Sequence, residues 1–338
     1  MFYVSTVRIV PACTVLTMMM SNANAARRDG RPNAFTWRTH GTPTREELSR
    51  AIPYVAQDLH PVILELLGKP FVISLITGDN CRTSFLPLQP VSNKATVVDW
   101  GDRTYTEVLR DRNTILNWSD GSIMPEGVGT TLCVRGLTHT YAVAGSYIVS
   151  VDGGRFELSF CRASIDEASR ILRIVQWGDS ILLCAGAFSR CVTLKTATRL
   201  GDSPHLGPVL TNLFNGCRML TGDGLSSWDT SGVTSMGLMF SGCPLFTGDL
   251  SRWDTSRVTC MHGMFAGCQR FQSDLSRWDT SQVRSMREMF ADCEEFSCNL
   301  GKWVTGNIVY MQQMFRGCIR FDVRRCRPRS SFDDDALL

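Results

Sequence analysis

The sequence contains little histidine and none of the short motifs that usually mark an enzyme or a metal site. Its 338 residues include five histidines, and no two of them have a His-x-x-x-His spacing. Cys-x-x-Cys, G-x-S-x-G, G-x-x-x-x-G-K and G-x-G-x-x-G are also absent. We therefore expect a protein that is not an enzyme and that holds no metal or cofactor.

The chain also lacks an excess of charge of either sign. Its 35 basic and 32 acidic residues leave a formal net charge of +3. A protein that binds nucleic acid through its overall charge carries a much larger basic excess. The composition therefore predicts no nucleic-acid partner.

The apolar run near the N-terminus is too short to span a membrane. It covers about a dozen residues, 9–20, whereas a transmembrane helix needs about 20. Arg8 precedes the run and Ala23-Asn24-Ala25 follows it, which is the layout of a cleavable secretory signal. We expect a signal peptide at 1–26, no stable membrane insertion, and a secreted or cell-surface location. An uncleaved apolar tail or a mitochondrial presequence is the alternative.

What the sequence does contain is a repeat with a fixed period. Units begin at Leu225, Leu250, Leu275 and Leu300, and weaker copies at 182–194 and 209–220 align on their Phe and Cys residues. Self-similarity at this period predicts units that stack on one another, each burying the face that its neighbour exposes. We expect about six units within 163–322.

Each unit combines a helical pattern with an extended one. Met236, Met239, Phe240 and Cys243 fall at i, i+3, i+4 and i+7, which predicts a two-turn helix. Leucine, Trp and valine around an Asp-Thr-Ser turn would form the extended side. The expected fold class is an α+β repeat protein with a leucine-rich-repeat-like solenoid of about six coils. The columns expected to be structural are Trp228, Trp253, Trp278 and Trp303; Phe240, Phe265, Phe290 and Phe315; and Cys243, Cys268, Cys293 and Cys318.

The 14 cysteines divide into two groups. Six share one column, where parallel side chains favour buried thiols, although neighbours in the stack could be cross-linked. They are Cys191, Cys217, Cys243, Cys268, Cys293 and Cys318. The better disulfide candidates, with a pairing that the sequence does not define, are Cys81, Cys133, Cys161, Cys260, Cys298 and Cys326.

Two other columns have alternative interpretations. The methionines share a face with Phe and Cys, which predicts a place in the core, and a soft-metal site is the alternative. The aspartates suit turns in which a carboxylate accepts backbone N–H groups, and calcium binding is the alternative. They recur as Asp229, Asp254 and Asp279 and as Asp223, Asp249 and Asp274.

Before the repeat, the pattern changes to that of strands. Short β-type runs separated by turn residues predict a small all-β immunoglobulin-like sandwich at 70–162. The runs are 71–76, 83–88, 96–100, 138–141, 146–151 and 155–160. Residues 27–69 are expected to form a linker with a short helix, and 323–338 a charged tail.

Two resemblances add to this interpretation. TVVDWGD at 96–102, with THTYAVAGSYIVSV at 138–151, resembles the polycystic-kidney-disease-type sandwich, with Arg103 where glycine is usual. The repeat W-D-T-S-x-V-x-x-M-x-x-M-F-x-G-C is similar to that of the BspA-like leucine-rich-repeat surface proteins of bacteria and protists. That resemblance implies a surface or secreted protein with a role in adhesion, and it transfers no binding residue.

The positions between the fixed columns are the candidates for binding. Gly232, Arg257, Gln282 and Asn307 differ from unit to unit, as expected of a changeable surface on a rigid scaffold. We expect a protein or glycan ligand, such as a component of host extracellular matrix. The oligomeric state is not defined. The alternative is a cytoplasmic protein–protein interaction scaffold with free thiols.

Overall fold

Two kinds of structure follow one another along the chain, paired strands first and stacked turns after them. The computed structural model describes residues 70–78, 81–92, 94, 96–109, 114–119, 129–133, 136–196 and 203–322. The predicted signal peptide at 1–26, the linker and helix at 27–69 and the tail at 323–338 lie outside these ranges.

The first part is built from short strands whose inward residues alternate with partly exposed ones. In β1 (Phe71–Thr77), for example, Phe71, Ile73 and Leu75 are buried, as a two-residue period requires. The other strands are β2 (Thr83–Leu86), β3 (Leu88–Pro90), β4 (Thr96–Asp99), β5 (Thr104–Leu109), β6 (Thr114–Ser119), β7 (Gly129–Cys133), β8 (Gly136–Thr140), β9 (Gly145–Gly153), β10 (Phe156–Leu158), β11 (Ile171–Gln176), β12 (Ile181–Leu183), β13 (Lys195–Thr196) and β14 (His205–Leu206).

These strands form three sheets. The largest has the order β13-β11-β1-β9-β4-β5-β6, the second β14-β12-β10-β3 and the third β2-β8-β7. The pairs β11–β13, β10–β12 and β12–β14 are parallel and the others antiparallel. The six predicted strand runs are all present, with 83–88 divided between β2 and β3. Strands β5 to β7 and β11 to β14 were not predicted.

The repeat units stack without forming a continuous sheet. Single parallel bridges join one unit to the next, and they link Val209, Ser235, Cys260, Ser285 and Tyr310 in a row. Within the described ranges, the helices are α1 (Ile165–Ala168) and two 3₁₀ helices, Phe160–Arg162 and Leu225–Ser227.

The predicted α+β solenoid is therefore wrong. The protein is β-rich, only 5% helical, and has no closed or solenoid sheet in the part of the chain that the structure describes. The segment 236–243, predicted to be a helix, is a series of turns. Its N–H groups alternate between two acceptors: that of Met239 donates to Met236 three residues back (3.3 Å), and that of Phe240 donates to Met264 in the next unit (2.9 Å).

Left-handed residues prevent this segment from becoming a helix. Leu238 has φ 56° and Gly242 has φ 71°, and a right-handed helix admits neither value. The same two positions are left-handed in other units, at Gly263 and Gly267 and at Glu288 and Asp292. The recurring pair of left-handed positions therefore marks two turns in succession.

A shared core connects the sheets to the repeat stack. Phe156 of β10 lies opposite Ile181 of β12, and the Phe160 N–H donates to the carbonyl of Ala187 (3.2 Å). The ring of Phe188 then stacks on that of Phe214 at 5.8 Å between centroids. The first weak repeat copy thus packs directly against the last strands of the sheet region.

Candidate functional site

The Trp column holds the units together by stacking and by hydrogen bonds. The rings of Trp228 and Trp253 are 6.2 Å apart and those of Trp278 and Trp303 are 6.4 Å apart, in near-parallel orientation. Each indole N–H from Trp253 onward donates to a leucine carbonyl of the preceding unit, at 2.9 Å for Trp253 to Leu225. The Nε1 of Trp228 is buried and has no acceptor among the described residues.

The cysteine column makes a parallel set of contacts. From Cys217 onward, each thiol donates to the carbonyl of a phenylalanine in the preceding unit, for example Cys268 to Phe240 at 3.1 Å. Burial raises the pKa of these thiols, to about 12 for Cys243. Thiols that are buried and protonated are poor nucleophiles and poor ligands for a metal. The phenylalanines of the column, Phe240, Phe265, Phe290 and Phe315, are fully buried and stacked at 5.6–5.8 Å.

The proposed disulfide candidates are free thiols wherever the structure describes them. Cys81 and Cys161 are exposed, and Cys260 and Cys298 are partly buried. The side chains of Cys133 and Cys326 lie outside the described residues. The sequence interpretation also omitted Cys184, which is free and half-buried, because it falls outside the Phe-Cys column.

Five of the six column aspartates cap their own turns, whereas Asp223 accepts the hydroxyl of Thr221 at 2.7 Å. Oδ1 of Asp254 accepts the N–H of Ser256 at 2.9 Å, and Asp249 accepts that of Ser251 at the same distance. These bonds lower the pKa of both carboxyls. Within the described ranges, no group of three or more His, Cys, Asp or Glu side chains is arranged to hold a metal ion.

The four predicted binding positions lie on the surface. Gly232, Arg257, Gln282 and Asn307 are all exposed. Each lies in a turn that the N–H of the following buried valine or isoleucine closes, for example Val258 to Thr255 at 3.0 Å. The residues two positions further on are exposed or partly exposed as well. We call these two columns the variable face: Gly232, Arg257, Gln282, Asn307, Thr234, Thr259, Arg284 and Val309.

The backbone under the variable face is fixed by inter-unit hydrogen bonds. The N–H groups of Thr259, Arg284 and Val309 donate to Thr234, Thr259 and Arg284 respectively, each at 2.8 Å. Asn307 adds a side-chain bond from Nδ2 to the carbonyl of Ser281 at 2.7 Å. The only ionisable side chains among these eight residues are the two arginines, so the face carries positive charge.

The sheet region contains a buried polar cluster that the sequence did not reveal. His139 is fully buried, and its Nε2 lies 3.0 Å from Oδ2 of Asp102. Oδ1 of Asp102 accepts from the backbone N–H of Thr104 (3.1 Å) and from its hydroxyl (2.5 Å). The ring of Trp100 stacks on His139 at 4.5 Å. Asp99 caps the same turn by accepting the Gly101 N–H at 2.9 Å.

The pKa of Asp102 reflects two opposing effects. Burial by itself would raise the pKa, but the hydrogen bonds with His139 and Thr104 outweigh it, and the pKa lies below its usual value. The carboxylate is therefore held in its charged form by the turn. The hydroxyl of Thr104 also lies 3.5 Å from Nε2 of His139. We interpret these three side chains as a structural contact that joins the β4–β5 turn to β8.

Comparison with known proteins gives one match. The family described as "Mycoplasma protein of unknown function, DUF285" matches residues 209–325, which is well under half of the chain. The repeat stack is thus similar to a family of surface-repeat proteins of unknown function, which is consistent with a BspA-like repeat. The match does not include 70–162, so the resemblance of that region to the polycystic-kidney-disease-type sandwich stays a prediction.

The other two comparisons give nothing. No curated protein and no solved structure matches the chain. In the part of the chain that the structure describes, no helix has the length and apolar character needed to cross a bilayer.

Proposed function

We propose that the protein is a non-enzymatic recognition protein, secreted or held at the cell surface, that binds a protein or glycan through the variable face. One observation carries this proposal. The buried columns repeat the same residue from unit to unit, whereas the exposed column of Gly232, Arg257, Gln282 and Asn307 has a different residue in each. Such a surface can change its specificity without altering the core.

The chemistry of the face favours a polar or acidic ligand. Arg257 and Arg284 supply the charge, and neither column contains an acidic residue. Arginine is enriched among the residues that dominate binding energy at interfaces. Val309, 57% exposed, adds an apolar contact at the C-terminal end.

The first experiment is a binding screen of the full chain against extracellular-matrix proteins and glycans, followed by a double substitution. Arg257→Ala with Arg284→Ala should weaken binding to any ligand found by about tenfold, since two arginine contacts are removed. Arg270→Ala is the matched control, because Arg270 is exposed but lies in another column. Equal losses in both variants would place the ligand elsewhere.

Location needs a separate experiment. N-terminal sequencing of the native protein should find a start near Arg27, after removal of the signal peptide. Retention of Met1 would instead support the alternative, an intracellular interaction scaffold with free thiols. The eleven free cysteines among the described residues are compatible with a reducing compartment, and therefore with the intracellular scaffold as a second candidate.

A further inference from the structure

Two further columns of the repeat lie beside the variable face. The first is the row joined by the single parallel bridges, and the second comes two residues later in each unit. We call these columns and the variable face together the four-column strip. Apart from Gly237, all of its residues are exposed or partly exposed. The two added columns are Ser235, Cys260, Ser285 and Tyr310, and Gly237, His262, Arg287 and Gln312.

The four-column strip carries cations at its centre and contains no acidic residue. Arg257 belongs to the second full unit, and Arg284 and Arg287 belong to the third, so three exposed guanidinium groups lie on two neighbouring units. Nε of Arg287 lies 2.9 Å from Oε1 of Glu288 in the adjoining column, which offsets part of its charge. The imidazole of His262 is held against the third unit, where its Nδ1 lies 3.0 Å from the carbonyl oxygen of Arg287.

Acidic side chains border the strip along one side. Asp229, Asp254 and Asp279 lie three residues before the variable positions of the first three full units, and Val304 takes that place in the last. Each of these carboxylates accepts the N–H of the serine two residues on, at 2.9–3.1 Å, so it is held in its own turn. An anionic ligand therefore gains most by lying over the arginines at the centre of the strip.

On either side of the arginines the strip is neutral. Thr234 and Ser235 of the first unit, and Asn307 of the last, offer hydroxyl and amide groups. Tyr310 is 55% exposed and Val309 is 57% exposed at the C-terminal end. Because the face of an aromatic ring is electron-rich, it attracts the C–H groups of a sugar. The end units thus suit neutral parts of a ligand that also has hydroxyl groups.

The backbone of the strip is already used by the repeat stack. The N–H of Thr259 donates to Thr234 at 2.8 Å, and that of Met261 donates to Ser285 at 2.9 Å, so both neighbouring units are bonded from this segment. A peptide that binds as an added strand needs a row of open backbone groups instead. Recognition here depends on side chains, and guanidinium groups bind carboxylate or sulfate through paired hydrogen bonds.

We propose that the ligand of the variable face is an acidic polysaccharide, an inference that rests on the function proposed above. The polysaccharide lies along the stack with its carboxylate or sulfate groups over Arg257, Arg284 and Arg287. Stacked units joined by parallel bridges repeat at about 4.8 Å, which is close to the advance of one sugar along an extended polysaccharide. Each unit therefore meets about one sugar, and the ring of Tyr310 packs against a sugar at the C-terminal end.

Gln282 allows a test in which one position carries either sign of charge. It is exposed in the third unit, which also holds Arg284 and Arg287. The affinity of the full chain for hyaluronan and heparin oligosaccharides is measured by calorimetry. Gln282→Glu, which keeps the shape of the side chain, should weaken binding about fivefold, and Gln282→Lys should strengthen it by a similar factor. Both effects should shrink as salt is added, because the charges are exposed.

A matched pair of glycines controls for the change in net charge. A Cβ added at Gly232 or at Gly78 of the sheet region meets nothing within 4 Å, and neither residue has a positive φ. Both positions should therefore accept glutamate without a change in the fold. Gly232→Glu should weaken binding of the acidic oligosaccharides severalfold, whereas Gly78→Glu should leave it unchanged.

Three results would overturn the proposal. The first is a full chain that binds neither acidic oligosaccharide. The second is equal affinity in the two Gln282 variants. The third is a polyglutamate peptide that binds as tightly as an oligosaccharide of the same charge, since the strip would then select charge and not sugar.

Failure of this inference can be told apart from failure of the proposed function. If the screen found a protein or a neutral glycan whose binding is weakened by the Arg257→Ala and Arg284→Ala double substitution, the variable face would remain the binding site. The acidic polysaccharide would nevertheless be rejected as its ligand.

Discussion

Left-handed residues explain why side-chain spacing alone misled the prediction of a helix. Leu238, Glu288 and Gln313 adopt φ values of 56–57°, which non-glycine residues normally avoid at a cost of roughly 1–2 kcal/mol. The N–H groups of Leu238 and Glu288 donate to carbonyls of the next unit. Hydrogen bonds between units therefore stabilise a left-handed backbone conformation that these residues do not favour on their own.

The Asp102–His139 pair was beyond the reach of sequence reasoning for a different reason. The two residues are 37 positions apart, and no spacing rule relates them. The WGD motif at 100–102 was visible in the sequence. What the sequence could not show is that β8 brings a buried imidazole to the second carboxylate of that turn.

Because of the Asp102–His139 pair, the free energy of unfolding should depend on pH. The folded-state pKa of Asp102 is depressed, so the carboxylate contributes stability that is fully present above the unfolded value of about 3.8 and is lost as pH falls through the folded pKa. Asp102→Asn should cost about 1–2 kcal/mol at pH 6 and less at pH 3. Urea unfolding across this range measures the difference. A constant difference between the two proteins would contradict the assignment.

At the scale of the repeat unit, the sequence was informative about burial and misleading about backbone. The columns of Trp, Phe and Cys are in the core and the four variable positions are on the surface. A fixed period predicts which columns are buried, because residues at the same position of successive units have the same surroundings. The i, i+3, i+4, i+7 pattern, however, fits successive tight turns as well as a helix. Glycine at 242, 267 and 317 was the available signal, and it marks left-handed turns.

The Trp column offers a matched test of the inter-unit hydrogen bonds. Trp278→Phe removes the indole N–H that donates to the Leu250 carbonyl at 3.0 Å, whereas Trp228→Phe removes an N–H that has no acceptor among the described residues. Both substitutions lose similar packing. Trp278→Phe should therefore destabilise the protein by about 1 kcal/mol more than Trp228→Phe, measured by chemical denaturation. Equal losses would mean that stacking alone stabilises the column.

On the scale of the whole molecule, the sheets and the repeat stack share one hydrophobic core. It runs from Phe71 and Phe156 through Trp177 and Phe188 into the phenylalanine column. The sequence placed a sheet region before a repeat, but the parallel pairing of β10 with β12 across the two could not be predicted. The paired residues Phe156 and Ile181 are 25 positions apart, as in the repeat, but 155–160 shows none of the repeat's Trp, Phe and Cys columns and was assigned to the sandwich.

Labelling of cysteine thiols should distinguish the exposed cysteines from those buried in this core. In the native protein, iodoacetamide should modify the exposed Cys81 and Cys161 and leave Cys217, Cys243 and Cys268 unmodified, because burial raises the pKa of the latter thiols. Cys81 should react fastest, since a hydrogen bond from Arg170 lowers its pKa. Intact mass after labelling gives the count.

Denaturation without reductant completes that measurement. At least six further labels should appear together once the core unfolds. If one or none appeared, the column would be oxidised, and the free thiols seen in the structure would not represent the native protein.

The repetition of the same inter-unit hydrogen bonds has a consequence for how such a protein can vary in length. At each full interface some N–H groups donate to the next unit, as Phe240 does to Met264, and others donate to the preceding unit, as Thr259 does to Thr234, so any interior unit presents the same two surfaces as its neighbours. Duplicating or deleting a unit by recombination would leave the sheet-bound start and the end of the stack chemically unchanged. The reach of the variable face can therefore evolve in whole units, independently of the residues that determine what it binds.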